Sequence, residues 1–310
     1  MDRLLRALFS VPALTTNSSE AATVVTEGRF VLADIQFTAD EMAGRHKCGQ
    51  GSAEVMAEAA VGMALLGAML KGEERLGLQI IGNGPLGRVM VESTGEHTLR
   101  GFPRNPEAVT TAPTPQARSA SLLGTTGQVH VMRSLDSKVV YQGAAPLLRI
   151  GIEPSLEAYL SQSEQIPSLM FIVVEVAPNG HVTMARGLML QALGGGDREV
   201  FEAFLDSVER TKIKDALRSW DGEALSSLTE QLPSMDTFST MDESPIRFLC
   251  TCDRDRAAGM LLALGFEDLK ALKEEQGRGE VDCAFCREVF VFEGFEFDTL
   301  LKVSEQTAAG

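Results

Sequence analysis

The 310-residue sequence has no excess of positive charge and no long apolar run. It carries 28 Lys and Arg against 43 Asp and Glu, and the formal net charge of −15 argues against nucleic-acid and anionic-membrane partners, which need clustered basic side chains. The longest apolar run, residues 59–70, covers 12 residues, whereas a membrane span needs about 18–20. Because this run follows Glu54 and Glu58, it predicts a buried helix. The 44% hydrophobic content is sufficient for a folded core.

Signatures of export and of catalysis are also missing. The amino-terminal apolar stretch is interrupted by Ser10 and Pro12, so it does not match a secretory signal, and we predict a cytoplasmic protein with an organellar location left open. There is no G-x-S-x-G motif, and the histidines stand alone without H-x-x-x-H or H-E-x-x-H spacing. We therefore predict that the protein is not an enzyme.

Residues 82–87, GNGPLG, match the G-x-G-x-x-G fingerprint of dinucleotide-binding proteins. That fingerprint requires a following helix, whose N-terminal amides hold the pyrophosphate. Here the next residues, RVMV, favour a strand, and Pro85 removes one amide. We predict a turn between two strands and no nucleotide site.

The pattern of elements predicts a mixed α+β protein in three parts. Residues 1–193 are expected to form an α/β core domain. Its expected elements are a helix over 53–70, a short helix over 157–163 capped by Ser155, and strand pairs 76–81 with 88–92, 128–133 with 139–142, and 169–176 with 182–190.

Three consecutive glycines, 194–196, mark the start of a helical linker region over residues 194–244. Residues 199–232 show helical spacing, and residues 234–244 are polar and turn-like. The apolar face of Phe201, Phe204, Leu205 and Val208 could bind other proteins or pack as core, and core packing is the favoured interpretation. Residues 245–310 are expected to form a small domain with helices over 253–264 and 267–276 and a strand over 289–292.

Four of the five cysteines lie in this small domain. Cys250 and Cys252 form a Cys-x-Cys pair, and after 30 residues Cys283 and Cys286 form a Cys-x-x-Cys pair. Two close thiol pairs can converge into the tetrahedral sulfur site that Zn²⁺ prefers, which predicts one zinc ion per chain. Cys48, beside His46, belongs to no such pattern, and we assign it no role.

The same cysteine pattern, together with three other segments, resembles the heat shock protein 33 family of redox-regulated chaperones. Residues 78–86 (LQIIGNGPL) are similar to the strand–turn segment of that family, residues 159–167 (YLSQSEQIP) to its Y-x-x-x-S-E-Q-x-P motif, and residues 187–191 (GLMLQ) to its G-x-x-L-Q segment. The matches occur in family order along almost the whole chain.

This resemblance implies an ATP-independent chaperone that binds unfolding proteins and prevents their aggregation. It implies an inactive, zinc-bound reduced state and activation by oxidation to two disulfides, Cys250–Cys252 and Cys283–Cys286, with zinc release and loosening of the linker. It also implies a homodimer when oxidised; the client-binding residues are not identified.

Two other function classes remain open from the residues themselves. A zinc-ribbon nucleic-acid binder is disfavoured because residues 241–310 carry 8 basic against 15 acidic side chains. A thiol–disulfide oxidoreductase using Cys283 and Cys286 is disfavoured because a strand, not a helix, is expected to follow that pair.

Overall fold

The computed structural model of the chain describes residues 1–12, 26–136 and 138–308. These residues form two units, Met1–Phe248 and Leu249–Gly310. Helices and largely antiparallel strands occur in both, which confirms the predicted mixed α+β class.

The strands of the first unit are numbered here in chain order. They are β1 (Arg3–Val11), β2 (Thr26–Asp34), β3 (Arg75–Gly82), β4 (Arg88–Thr94), β5 (Thr98–Pro103), β6 (Gly127–Leu135), β7 (Lys138–Pro146), β8 (Ser168–Val176), β9 (Val182–Ala192), β10 (Thr237–Pro245) and β11 (Arg247–Phe248). The helices of the same unit are α1 (Gln36–Arg45), α2 (Gln50–Leu66), α3 (Pro115–Leu123), α4 (Ile152–Tyr159), α5 (Arg198–Asp206), α6 (Arg210–Ser219) and α7 (Ser226–Thr229).

The described strands of the first unit form two sheets. One has the order β10-β1-β2-β9-β8 and is antiparallel throughout. The other has the order β11-β5-β4-β3-β6-β7, and its short edge strand β11 pairs in parallel with β5. The hairpin pairs predicted from sequence, β3 with β4, β6 with β7 and β8 with β9, are all present.

Residues 82–87 form the turn between β3 and β4, as predicted. The backbone N–H of Gly82 donates to the carbonyl of Gly87 at 2.9 Å, which closes the hairpin. No helix follows Gly87, because β4 begins at Arg88. The predicted turn between two strands is confirmed.

Helix α2 forms the centre of the main core. It contacts strands of both sheets, and most of its side chains are fully buried. Within the described part of the chain, α2 and the following 3-10 turn, residues Gln50–Met69, form a stretch long and apolar enough to cross a membrane, and 83% of its most apolar window is buried inside the protein. The burial of this stretch is that of a core helix.

A second core lies on the opposite face of the five-stranded sheet. Helices α5, α6 and α7 cover this face, and Phe201, Phe204 and Val208 are buried there while Leu205 is half-buried. The predicted core packing of this apolar face is confirmed. A Cβ atom at Gly28 of β2 would clash with the ring of Phe9 and would stand 2.6 Å from the ring of Phe201, so this close packing requires glycine.

Three local predictions are corrected by the structure. Residues 234–244 are not a turn region, because β10 occupies most of them and pairs with β1; an exposed, polar edge strand has no apolar alternation that would reveal it. Ser155 is not a helix cap, since α4 begins at Ile152 and the Ser155 hydroxyl donates to the Gly151 carbonyl within the first turn, at 2.7 Å. The helix predicted over 157–163 starts earlier and continues as a π-helical segment, Leu160–Glu164.

Residues 194–244 lie within the first unit by their packing. The predicted division into a core domain (1–193), a helical linker region (194–244) and a small domain (245–310) stays a proposal.

The second unit is small. It contains α8 (Arg254–Leu262), α9 (Phe266–Gln276), the hairpin of β12 (Arg278–Asp282) and β13 (Val289–Glu293), and α10 (Gly294–Ala308). Helix α10 was not predicted. Among the described residues of this unit the buried apolar core comprises Ala257, Leu261, Leu269, Phe292 and Phe297.

Candidate metal centre

Two short backbone segments of the second unit position the four clustered cysteines. Cys250 and Cys252 lie in the extended segment before α8, whose first turn is capped by Asp253 accepting from the backbone N–H of Arg256 at 2.7 Å. Cys283 and Cys286 lie in the turn between β12 and β13. In that turn the N–H of Cys283 donates to the carbonyl of Glu288 at 2.9 Å, and the N–H of Arg287 donates to the carbonyl of Cys283 at 2.8 Å.

The structure brings the four sulfur atoms together. All four Sγ atoms lie within 4.8 Å of one another, with 3.7 Å between Cys250 and Cys283 and 3.2 Å between Cys252 and Cys286. A tetrahedron with zinc–sulfur bonds of about 2.3 Å has sulfur–sulfur edges of about 3.8 Å. The four thiols therefore have the chemistry and the approximate spacing of a metal site.

Burial opposes the ionisation of two of these thiols. Burial, followed by the neighbouring thiols, raises the pKa of Cys252 well above its ordinary value, and burial raises the pKa of Cys286 to about 11. Burial also acts to raise the pKa of Cys283, but the backbone N–H groups of Cys286 and Phe285 outweigh it, so that the net shift is downward. A divalent cation would reverse the upward shifts, because it stabilises several adjacent thiolates at once.

Ion pairs hold the backbone around the cluster. Arg254 donates to Glu296 of α10 at 2.7 Å and lies over the ring of Phe292, 4.5 Å from its centroid. Arg287, a residue of the cysteine turn with a φ of 62°, pairs with Asp282 at 2.7 Å. These residues were not predicted from the sequence; a basic residue within two positions of each cysteine pair is the signal that could have indicated them.

Cys48 lies in the first unit and is separate from this chemistry. It is 7% exposed, and burial raises the pKa of its thiol to about 12. The thiol is therefore protonated and unreactive near neutral pH. His46 is also buried, and its Nε2 lies 3.1 Å from the carbonyl oxygen of Gly101.

A mixed α+β unit followed by a small unit with a four-thiol cluster is the architecture of one class of chaperone. The family model described as "Hsp33 protein" matches residues 20–293. The chain belongs to the Hsp33 family, a family of chaperones, which confirms the resemblance seen in the sequence.

Several relatives named "33 kDa chaperonin" support this assignment. The one from Syntrophotalea carbinolica is 34% identical over 243 residues, covering 77% of this chain and 83% of the relative. The one from Geobacter sulfurreducens is 32% identical over 257 residues, covering 83% and 85% respectively. The crystal structure of the 33 kDa chaperonin (heat shock protein 33 homolog) from Thermotoga maritima is similar with a TM-score of 0.76 and 26% identity, covering 97% of this chain and 99% of that one.

Proposed function

We propose that this protein is an ATP-independent holdase chaperone, not an enzyme, whose activity is switched on by oxidation. The observation that carries the proposal is the convergence of four thiols in a unit with a very small apolar core. Such a unit has little other source of folding free energy, so its stability would depend on the state of these thiols.

In the reduced state Cys250, Cys252, Cys283 and Cys286 would hold one zinc ion per chain. Bound zinc would keep the four sulfurs as thiolates and would cross-link the segment before α8 to the β12–β13 turn. The sulfur spacing described above supports this ligand set, and a thiolate is the form of cysteine that oxidants attack.

Oxidation would convert the four ligands into two disulfides. Each disulfide forms when a thiol pair loses two electrons and two protons, and hydrogen peroxide takes them up to give water. Family resemblance implies the pairs Cys250–Cys252 and Cys283–Cys286. The shortest sulfur distances instead join Cys250 to Cys283 and Cys252 to Cys286, so the pairing needs a direct test by peptide mapping of the oxidised protein.

Loss of the metal ligands would remove the zinc cross-link that stabilises the second unit, and the linker region would loosen. Helices α5, α6 and α7 bury aromatic and aliphatic side chains against the five-stranded sheet, including Phe9 and Phe171 on the sheet side. Their detachment would expose this apolar sheet face and their own apolar faces. We propose that these surfaces bind unfolded or aggregation-prone client proteins, and that the oxidised chain forms a homodimer.

The proposal is tested by light scattering from an aggregating, chemically unfolded test protein. The zinc-loaded reduced chain should leave aggregation unchanged, and the chain treated with peroxide and mild heat should suppress it. Cys48→Ser is the matched control and should retain the switch, whereas Cys286→Ser should not. Equal suppression by the reduced and oxidised wild-type chain would contradict redox regulation.

One observation favours an alternative, thiol–disulfide oxidoreductase activity. The net downward shift in the pKa of Cys283 makes it the most readily ionised thiol for which a shift is resolved. Against this alternative, Cys283 and Cys286 lie in a hairpin turn and not at a helix N-terminus. Catalytic turnover of a small disulfide substrate by the reduced chain would support the alternative and contradict the chaperone switch.

A further inference from the structure

The first unit contains a cavity of about 390 Å³ that the chaperone mechanism does not use. It lies between the two sheets at the carboxyl-terminal end of α2, and its apolar walls come from α2 and from strands β3, β6 and β9. Its volume falls in the range of small-molecule sites, which are mostly apolar with a few convergent polar groups.

Two arginines from opposite sheets line this cavity. Arg29 of β2 stands in register with Gln191 of β9 and donates to its side-chain oxygen at 2.9 Å. Arg133 of β6 stands in register with both Leu76 of β3 and Tyr141 of β7. Each sheet thus presents one arginine to the same cavity, whose lining is both polar and apolar.

Both guanidiniums keep hydrogen-bonding capacity. The Nε atoms of Arg29 and Arg133 are buried and have no hydrogen-bond partner among the described residues. The Arg133 side chain as a whole is 43% exposed and forms an ion pair with Glu74, with 3.6 Å between Nε and Oε1. Burial also lowers the pKa of Arg29. A buried, unsatisfied donor costs free energy that an anionic ligand would recover.

The wall of the cavity is formed in part by the Y-x-x-x-S-E-Q-x-P segment, which the metal centre does not involve. Tyr159 is almost fully buried and donates to Glu164 at 2.5 Å. The backbone between them is the π-helical segment, and Gln165 follows with a φ of 57°. Single π-helical turns are rare and are often found at functional sites. Both tyrosines of the sequence, Tyr141 and Tyr159, line the cavity.

We propose that this cavity binds an organic carboxylate with an apolar tail, such as a medium-chain fatty acid. The carboxylate is held by Arg29 and Arg133, the tyrosine hydroxyls border it, and the tail lies among the apolar side chains of α2 and the strands. A cavity of roughly 150 Å³ holds benzene, so the volume here accommodates about 15 non-hydrogen atoms, the size of a ten- to twelve-carbon acid.

The test is a calorimetric titration of the reduced, zinc-loaded full chain with decanoate below its micellar concentration. One saturable site per chain is expected. Arg29→Gln and Arg133→Gln should each weaken binding by about tenfold or more, because each removes a charged hydrogen bond. Arg149→Gln, at an exposed position outside the cavity, is the matched control and should bind as the wild type does.

Two further arms keep the test decisive. Leu66→Trp should abolish binding, because the larger side chain fills the cavity while both arginines remain. If an arginine variant does not fold, this variant still tests whether decanoate binds in the cavity. The neutral methyl ester of decanoate should bind far more weakly than the acid. Absence of saturable binding, equal affinity of the ester, or equal affinity of the cavity variants and Arg149→Gln would overturn the proposal.

Discussion

Truncation of Phe201 should release the linker helices without oxidation. Phe201 is fully buried at the start of the linker, with ring centroids 6.0 Å from Phe9 and 5.9 Å from Phe204. Phe-to-Ala changes at such sites cost about 3–5 kcal/mol, through lost burial and the remaining cavity. Since about 1.4 kcal/mol is a tenfold change, the opening equilibrium of the linker should rise by about two to three and a half orders of magnitude.

Two readouts follow this opening in the reduced Phe201→Ala protein. Hydrogen exchange should show amide protection lost across α5 and α6 and retained in α2, because the main core does not contain Phe201. The emission of Trp220, the single tryptophan of the sequence, should shift to the red, since this side chain is 4% exposed in the folded linker. The variant should also suppress aggregation partially while it is still reduced.

Phe37→Ala is the matched control, because Phe37 lies in the same unit but is 63% exposed. Its exchange pattern and Trp220 emission should equal those of the wild type. If Phe201→Ala reduced protection in α2 and in the linker helices together, the linker would not unfold as a separate segment. If it left both unchanged, the linker would not be held by this contact. Either result would refute the reasoning.

Three further predictions concern the metal site, pH and the edge strand. Cys286→Ser should abolish stoichiometric zinc binding, measured by metal analysis after gel filtration. The control Cys48→Ser should still bind zinc. Zinc retained by Cys286→Ser would contradict the proposed set of four ligands. Burial raises the pKa of Glu58 from 4.5 to about 7, so the folded state binds more protons between these values, and stability should fall as pH rises through them. Glu58→Gln should flatten that slope in thermal unfolding, and an unchanged slope would contradict the assignment. In Asp242→Ala, buried Arg6 loses its two hydrogen bonds to the carboxylate, of 2.6 and 2.7 Å. The pairing of β10 with β1 should weaken by about 1–3 kcal/mol, and amide exchange in β10 should become faster. Wild-type exchange rates in β10 would contradict this prediction.

Local patterns in the sequence were sufficient to predict a substantial part of the fold. The three hairpins, the apolar helix α2 and the amphipathic linker helices were all predicted near their observed places. The reason is that turn chemistry and apolar periodicity act over a few residues, within the range that a sequence pattern can express. The cysteine pairs belong to the same group, because their spacing places two thiols on each segment.

Contacts between distant segments were decided by the tertiary structure. Strand β10 is polar and exposed, and its place beside β1 depends on pairing across more than two hundred residues, including the contact of Arg6 with Asp242. Likewise, spacing predicted which cysteines belong together, whereas folding of the second unit brought the four sulfurs within 4.8 Å. The cavity lined by Arg29 and Arg133 also exists only in the folded chain, because it requires two sheets to face one another across α2. Such arrangements depend on how whole helices and strands pack against one another, and local sequence patterns do not determine that packing.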